Sequence, residues 1–375
     1  MSSAQQPATL TGAPQRLVFL DALRGIAAMW VVLFHLNEDG RITALQQAIP
    51  GWLNTSLFTA GHLGVPIFFV LSGFVIAHAI GDDRVDGSYF ARFALRRLIR
   101  LDLPYWGSIA ISLGYIIAKT ALRPDRTAET HLATPGEVIA HVFYLQDFLR
   151  MPNINWVYWT LCFEIQFYLM FCALLALAHR FRRDAGDRRP QQLVFLGAAI
   201  ISLAWPLLPA LHLPGLALPK WYGFLLGVFA CWTLRGTIAT RWFALYVTLL
   251  GAVWAVTRDS FTAFCLVAGV GIFLTGRAGK LGTWLSVGWL QFLGRVSYSL
   301  YLLHIPVSGA LYFVLARFLG DSVAENAIAM IIAIAANCLA ALLYWWLIER
   351  PSTALARRVQ KTGAVSAVHG ELARI

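Results

Sequence analysis

Charge is scarce in this chain. Of its 375 residues 13% are Asp, Glu, Lys or Arg and 58% are hydrophobic, against about 25% charged in an ordinary soluble domain. Nineteen acidic side chains face thirty basic ones, for a net charge of +11. In a soluble protein that excess would suggest nucleic acid. Here the arginines fall in alternate loops, the pattern by which membrane proteins fix their orientation, so nucleic acid is not expected as a partner. Cysteine is also sparse. Cys162, Cys172, Cys231, Cys265 and Cys338 all lie in apolar stretches without metal-ligand spacing, which reads as small buried hydrophobes and predicts neither a disulfide nor a metal. The N-terminus lacks a basic region ahead of its first apolar stretch, and no small-residue cleavage motif follows it, so that stretch is read as a retained span. No internal repeat or low-complexity segment is present.

What the chain has in quantity is long apolar runs, each able to cross about 30 Å of hydrocarbon. We read about ten: 17–37, 60–80, 101–119, 156–178, 192–209, 219–235, 241–257, 260–276, 289–316 and 326–348. Residues 135–149 are too few to span and predict an interfacial or re-entrant helix. With the N-terminus in the cytoplasm, the inner loops hold Arg84, Arg92, Arg96, Arg97 and Arg100, then Arg180 to Arg189, Arg235 and Arg241, Arg277 and Lys280, and finally Arg357, Arg358 and Lys361. The outer loops hold Arg41, Lys220, Arg258 and Arg317 singly, the loop 119–155 being richer. The expected fold is therefore all-α: a polytopic integral membrane protein of about ten transmembrane helices with both termini cytoplasmic. Its expected parts are a polar tail 1–16, a membrane domain 17–350, and a tail 351–375 with no soluble domain fused.

Charges inside such spans are costly and tend to line functional cavities. The first span carries Arg24 and His35. At about 100° per residue, eleven steps return His35 to within about 20° of Arg24, about 16 Å further along the axis. The two share a face. Arg24 also lies one turn from Asp21, which offers a local counter-charge.

Five stretches stand out in order: Leu20-Asp21-Ala22-Leu23-Arg24-Gly25 leading to His35; Gly64-Val65-Pro66-Ile67-Phe68-Phe69-Val70-Leu71-Ser72-Gly73-Phe74; Arg97-Leu98-Ile99-Arg100 ahead of Pro104-Tyr105; Trp159-Thr160-Leu161 with Glu164 and Phe167-Tyr168; and Ser297-Tyr298-Ser299-Leu300-Tyr301-Leu302-Leu303-His304-Ile305-Pro306, closed by Glu349-Arg350-Pro351. Together they resemble the membrane acyltransferase-3 family of O-acetyl and related acyl transferases. The chain departs from the family at Asp102-Leu103, where a second proline is usual.

The resemblance implies transfer of an acyl group, most simply acetyl, from cytoplasmic acyl-CoA to a hydroxyl of a lipid-linked or surface carbohydrate, by an enzyme in a bacterial-type plasma membrane. His35 is the candidate general base or transient acyl carrier, with Arg24 and Glu164 as its catalytic neighbours. Glu164 could orient the imidazole or form an interhelical salt bridge. The expected donor-binding residues are Arg97, Arg100, Ser72, Tyr298 and His304. Arginines three apart on one face suit the phosphates of CoA, and equally suit anionic lipid. Ser72, beside Gly73, reads first as a close-packing residue and second as lining for the donor path. Tyr298, Tyr301 and His304 read as aromatic core or as one wall of a cavity. No metal is expected. The competing reading is a polytopic transporter or flippase for lipid-linked sugars, against which the lack of repeats and the R-x-x-R pair both weigh. A membrane glycosyltransferase fits less well, since the outer loops lack an acidic cluster.

Overall fold

The computed structural model describes residues 16–37, 40–80, 87–122, 131–184, 186–211 and 213–358. Most of the two expected tails, Arg84 and part of the 119–155 loop lie outside the described residues. Regular structure among the described residues is entirely helical. In chain order the helices are α1 (Val18–His35), α2 (Thr43–Ala48), α3 (Gly51–Leu57), α4 (Gly64–Ile80), α5 (Gly87–Leu122), α6 (Pro135–Val142), α7 (Trp159–Arg180), α8 (Arg189–Ala204), α9 (Trp221–Leu234), α10 (Thr240–Thr257), α11 (Ser260–Arg277), α12 (Gly288–Leu315) and α13 (Val323–Tyr344).

Nine segments among the described residues are long and apolar enough to cross a membrane. The expected tenth, α9, has 14 residues, all buried. At about 1.5 Å per residue it extends about 21 Å, short of the hydrocarbon thickness. It nevertheless crosses. Gly25 of α1 touches Gly294 of α12, and ten residues on His35 meets His304, so the two helices run in parallel. Parallel running needs an odd number of crossings between them, and the long segments supply six. The seventh is α9. Packed on all sides by protein, it has no lipid thickness to match. Its direction agrees, since Gly269 and Gly276 of α11 abut Leu226 and Leu234 of α9 in the same order along both helices.

Glycines set the closest helix approaches. A Cβ on Gly73 would collide with the Phe224 carbonyl, and one on Gly227 with that of Val70. With no side chain between them, α4 and α9 cross backbone to backbone. The contact is extended by Phe224, which stacks on Phe69 and on Phe167 at 4.3 Å between ring centroids.

Within 135–149, Thr134 and Glu137 form a capping box that starts the short helix α6, and the chain after it packs on α5. There Tyr144 stacks on Tyr105 at 4.7 Å and its hydroxyl donates to Asp102 at 2.8 Å. Asp102, unexpected from sequence, is the buried acceptor for this turn.

Candidate functional site

Among the described residues, two cavities enter the bundle from opposite ends and share lining residues. The proximal cavity, at the end where α1 begins, encloses about 600 Å³. Seven arginines line it (16, 24, 97, 100, 295, 350 and 357) against three carboxylates, Asp21, Glu164 and Glu349. Arg16 and Arg357 both line it, so the start of the first described helix and the end of the last lie at the same end of the molecule.

Arg24 pairs with Asp21 at 3.5 Å, the i,i+3 partner anticipated from sequence, and Arg16 bonds the same carboxylate at 3.0 Å. The Arg97 guanidinium lies over the Tyr168 ring at 4.1 Å, while its buried Nε has no hydrogen-bond partner. A buried cationic donor left open is suited to a phosphate oxygen. Arg100 opens into the same space. Ser72 donates to Glu164 at 2.9 Å, and the Tyr168 hydroxyl donates to the same carboxylate oxygen. Ser72 lines the cavity, and the close packing falls to its neighbour Gly73. Tyr298 also lines this cavity and donates to the Leu101 carbonyl at 2.9 Å.

The last wall comes from an irregularity that the sequence does not announce. After α13 the chain makes a π-helical turn, Trp345–Glu349. Such wider turns redirect side chains and recur at functional sites. This one directs Trp345, Glu349 and Arg350 into the cavity, with Ser299 donating to Glu349 at 2.6 Å. Arg295 and Arg350 both lie over Trp345, each at 5.8 Å.

The distal cavity, about 530 Å³, is lined by His35, Phe34, Asn37, His62, Val65, Trp156, Trp159, Phe261 and Tyr301 among others. His35 ends α1 here. Its ring centre lies 5.1 Å from that of His304. Expected among the donor residues, His304 does not line the proximal cavity; it stands beside the other imidazole. Glu164 lines the arginine-lined cavity, where its hydrogen-bond partners are Ser72 and Tyr168. Arg24 and His35 share a helix face, as predicted, but open into different cavities.

Val65 and Tyr301 line both cavities and form the partition between them. Tyr301 is fixed by hydrogen bonds with Thr160 at 2.8 Å and the Val157 carbonyl at 3.2 Å, and by the edge of Phe68. Nearby, Pro306 has no N–H to offer the Leu302 carbonyl one turn back, and Asn155 donates to that oxygen at 3.4 Å instead.

A family model described as an acyltransferase domain matches residues 17–348. The curated relatives include "Regulator of hypoxia-inducible factor 1" of Caenorhabditis elegans, 29% identical over 187 residues, which are 46% of this chain and 36% of that protein. "Protein 2 in picA locus" of Rhizobium radiobacter is 33% identical over 129 residues, 33% of this chain and 60% of that one. A Staphylococcus aureus (strain COL) protein with O-acetyltransferase in its name is 28% identical over 200 residues, 49% of this chain and 28% of that one. The match thus spans less than two thirds of each relative's own length. No solved structure matches. On a family match reaching from the first residue before α1 to the π-helical turn, the chain belongs to the acyltransferase-3 family of multi-pass membrane proteins.

Proposed function

We propose that the protein transfers an acyl group, acetyl in the simplest case, from acyl-CoA in the proximal cavity to a carbohydrate hydroxyl in the distal one. The carrying observation is the shared partition: an arginine-lined cavity and a histidine-bearing cavity meet back to back at Val65 and Tyr301. The excess of four positive charges over carboxylates suits the phosphates of CoA. Arginine enrichment at that end suits the cytoplasmic side of a bacterial-type plasma membrane. The pantetheine arm then points its thioester at the partition.

The reaction needs little activation of the donor, since a thioester is already reactive. It needs two substrates held in line and a proton taken from the acceptor. The acceptor oxygen attacks the carbonyl carbon while its proton passes to His35. The C–O bond forms, the C–S bond breaks, and the departing thiolate receives the proton as free CoA. General-base help of this kind contributes about 10²–10⁴-fold.

The test is thiol release by purified protein given acetyl-CoA and a glycan acceptor. Release that depends on acceptor and is lost in a folded His35→Gln variant is the expected result. A fully active His35→Gln variant, or acceptor movement across vesicles without thiol release, would overturn the reading, the second outcome pointing to a transporter.

A further inference from the structure

The family motifs put His304 beside Tyr301, but its role follows from bonds that no motif specifies. His304 is 1% exposed. Its Nδ1 lies 2.8 Å from the Tyr301 carbonyl and 3.2 Å from that of Leu300. A carbonyl oxygen only accepts, so Nδ1 carries the proton and donates. In the neutral ring, Nε2 then has a lone pair and no hydrogen, and this atom is buried without a hydrogen-bond partner. A buried acceptor left unmet is uncommon and calls for a donor.

The neighbouring ring is His35, with centres 5.1 Å apart. Ring nitrogens stand about 1.1 Å from the ring centre and an N–H···N bond spans about 3 Å, so this separation lets the two rings meet nitrogen to nitrogen. The Gly25–Gly294 contact, ten residues back on both helices, fixes the register that brings them together.

We infer that His304 is a positioning residue for His35, its Nε2 accepting the N–H of the His35 nitrogen turned away from the distal cavity. The inference rests on the proposed role of His35. Its effect is to choose a tautomer: with one nitrogen engaged as donor, the other keeps its lone pair toward the acceptor hydroxyl. When His35 takes the acceptor's proton, the resulting imidazolium retains a neutral partner for its second N–H. The backbone carbonyls do for His304 what a carboxylate does for histidine in hydrolytic triads, fixing which nitrogen is protonated.

The test orders two substitutions. Gln at 304 offers a carbonyl acceptor, whereas Phe keeps a ring of similar size and offers none. Each variant is purified in detergent, the monodisperse fraction is taken, and kcat and KM for acetyl-CoA are measured by thiol release. The expected result is a kcat loss of about 10²-fold for His304→Phe with KM within about twofold, and recovery to within about tenfold of the parent for His304→Gln. A packing role predicts the opposite order, so His304→Phe performing as well as or better than His304→Gln would overturn the inference. If His304→Phe yields no monodisperse protein, His304→Leu takes its place, with the same two readings. The outcomes separate from those for His35. An active His35→Gln variant removes the underlying proposal, whereas an inactive one with Phe favoured at 304 removes this inference alone.

Discussion

Gly25 of α1 and Gly294 of α12 lie backbone to backbone. A Cβ on Gly25 would stand 2.7 Å from the Gly294 nitrogen, and one on Gly294 would strike the Asp21 carbonyl. Alanine gains about 1 kcal/mol over glycine in helix propensity, but forcing two helices apart costs typically about 1–3 kcal/mol. Gly294→Ala is therefore expected to lower the thermal midpoint in detergent and to reduce kcat through misaligned imidazoles. Gly251→Ala on α10, with open space around its Cβ, serves as the control and is expected to leave both unchanged or the midpoint slightly raised.

Arg97 and Arg100 sit in the proximal cavity, one with an unmet buried Nε. Hydrogen bonds to charged groups contribute about 1.5–3 kcal/mol, so Arg97→Ala or Arg100→Ala is expected to raise KM for acetyl-CoA about 10–100-fold with a smaller change in kcat. Arg97→Lys should recover little, because a point charge reproduces neither the fork nor the stacking on Tyr168. A lipid-anchoring role predicts unchanged KM and altered membrane insertion instead.

Glu164 accepts from both Ser72 and Tyr168. Glu164→Gln retains the size but brings an N–H₂ group that would face one of these hydroxyls. Expected is a loss in donor affinity without any change in the acceptor's KM, measured by varying each substrate in turn. A selective effect on acceptor KM would argue for contact with the distal site.

The partition bears on acyl length. Tyr301→Phe keeps the ring and loses the bonds to Thr160 and the Val157 carbonyl, so it should reduce rate while preserving preference among donors. Val65→Ala shortens the other side of the partition and should improve propionyl- and butyryl-CoA relative to acetyl-CoA by several-fold. An unchanged ratio would mean that length is set elsewhere.

At the distal end Asp259 joins α10 to α11. Burial pushes its carboxyl up, but the hydrogen bond and charge of Lys220, with the hydroxyls of Thr262 and Tyr222, outweigh this and hold it below the usual Asp range. A carboxyl depressed on folding contributes stability that is present above its unfolded pKa, about 3.9, and lost as pH falls through the lower folded value. Asp259→Asn is thus expected to lower the thermal midpoint at neutral pH and to flatten its decline in acid. A parallel decline in parent and variant would locate the acid-sensitive group elsewhere.

Much of this was legible in the sequence, because hydrophobic run length and helical period are local properties. The spans, the shared face of Arg24 and His35, the Arg24–Asp21 pair and the shortness of the helix after Pro135 all follow from spacing alone. What stayed hidden depends on how distant helices are brought together. Nothing in the period of α12 says whether His304 faces the arginines or the other imidazole; the Gly25–Gly294 contact decides that. Arg295 and Arg350 read as a span residue and a motif end until the π-helical turn brings both over Trp345. The hydroxyl partners of Glu164, Ser72 and Tyr168, likewise depend on how α4 and α7 meet, which the sequence around Glu164 does not state. Hydropathy alone marks α9 as apolar, but its shortness as a helix and its complete burial could not be seen from composition.

The partition at Val65 and Tyr301 is a single layer of side chains thick where the two cavities meet. A bundle hollowed from both faces would keep its electrical seal in that layer, and under the proposed function neither donor nor acceptor would have to traverse the bilayer. Replacing Tyr301 by alanine would then register as a proton or ion leak in sealed vesicles, independently of any chemistry.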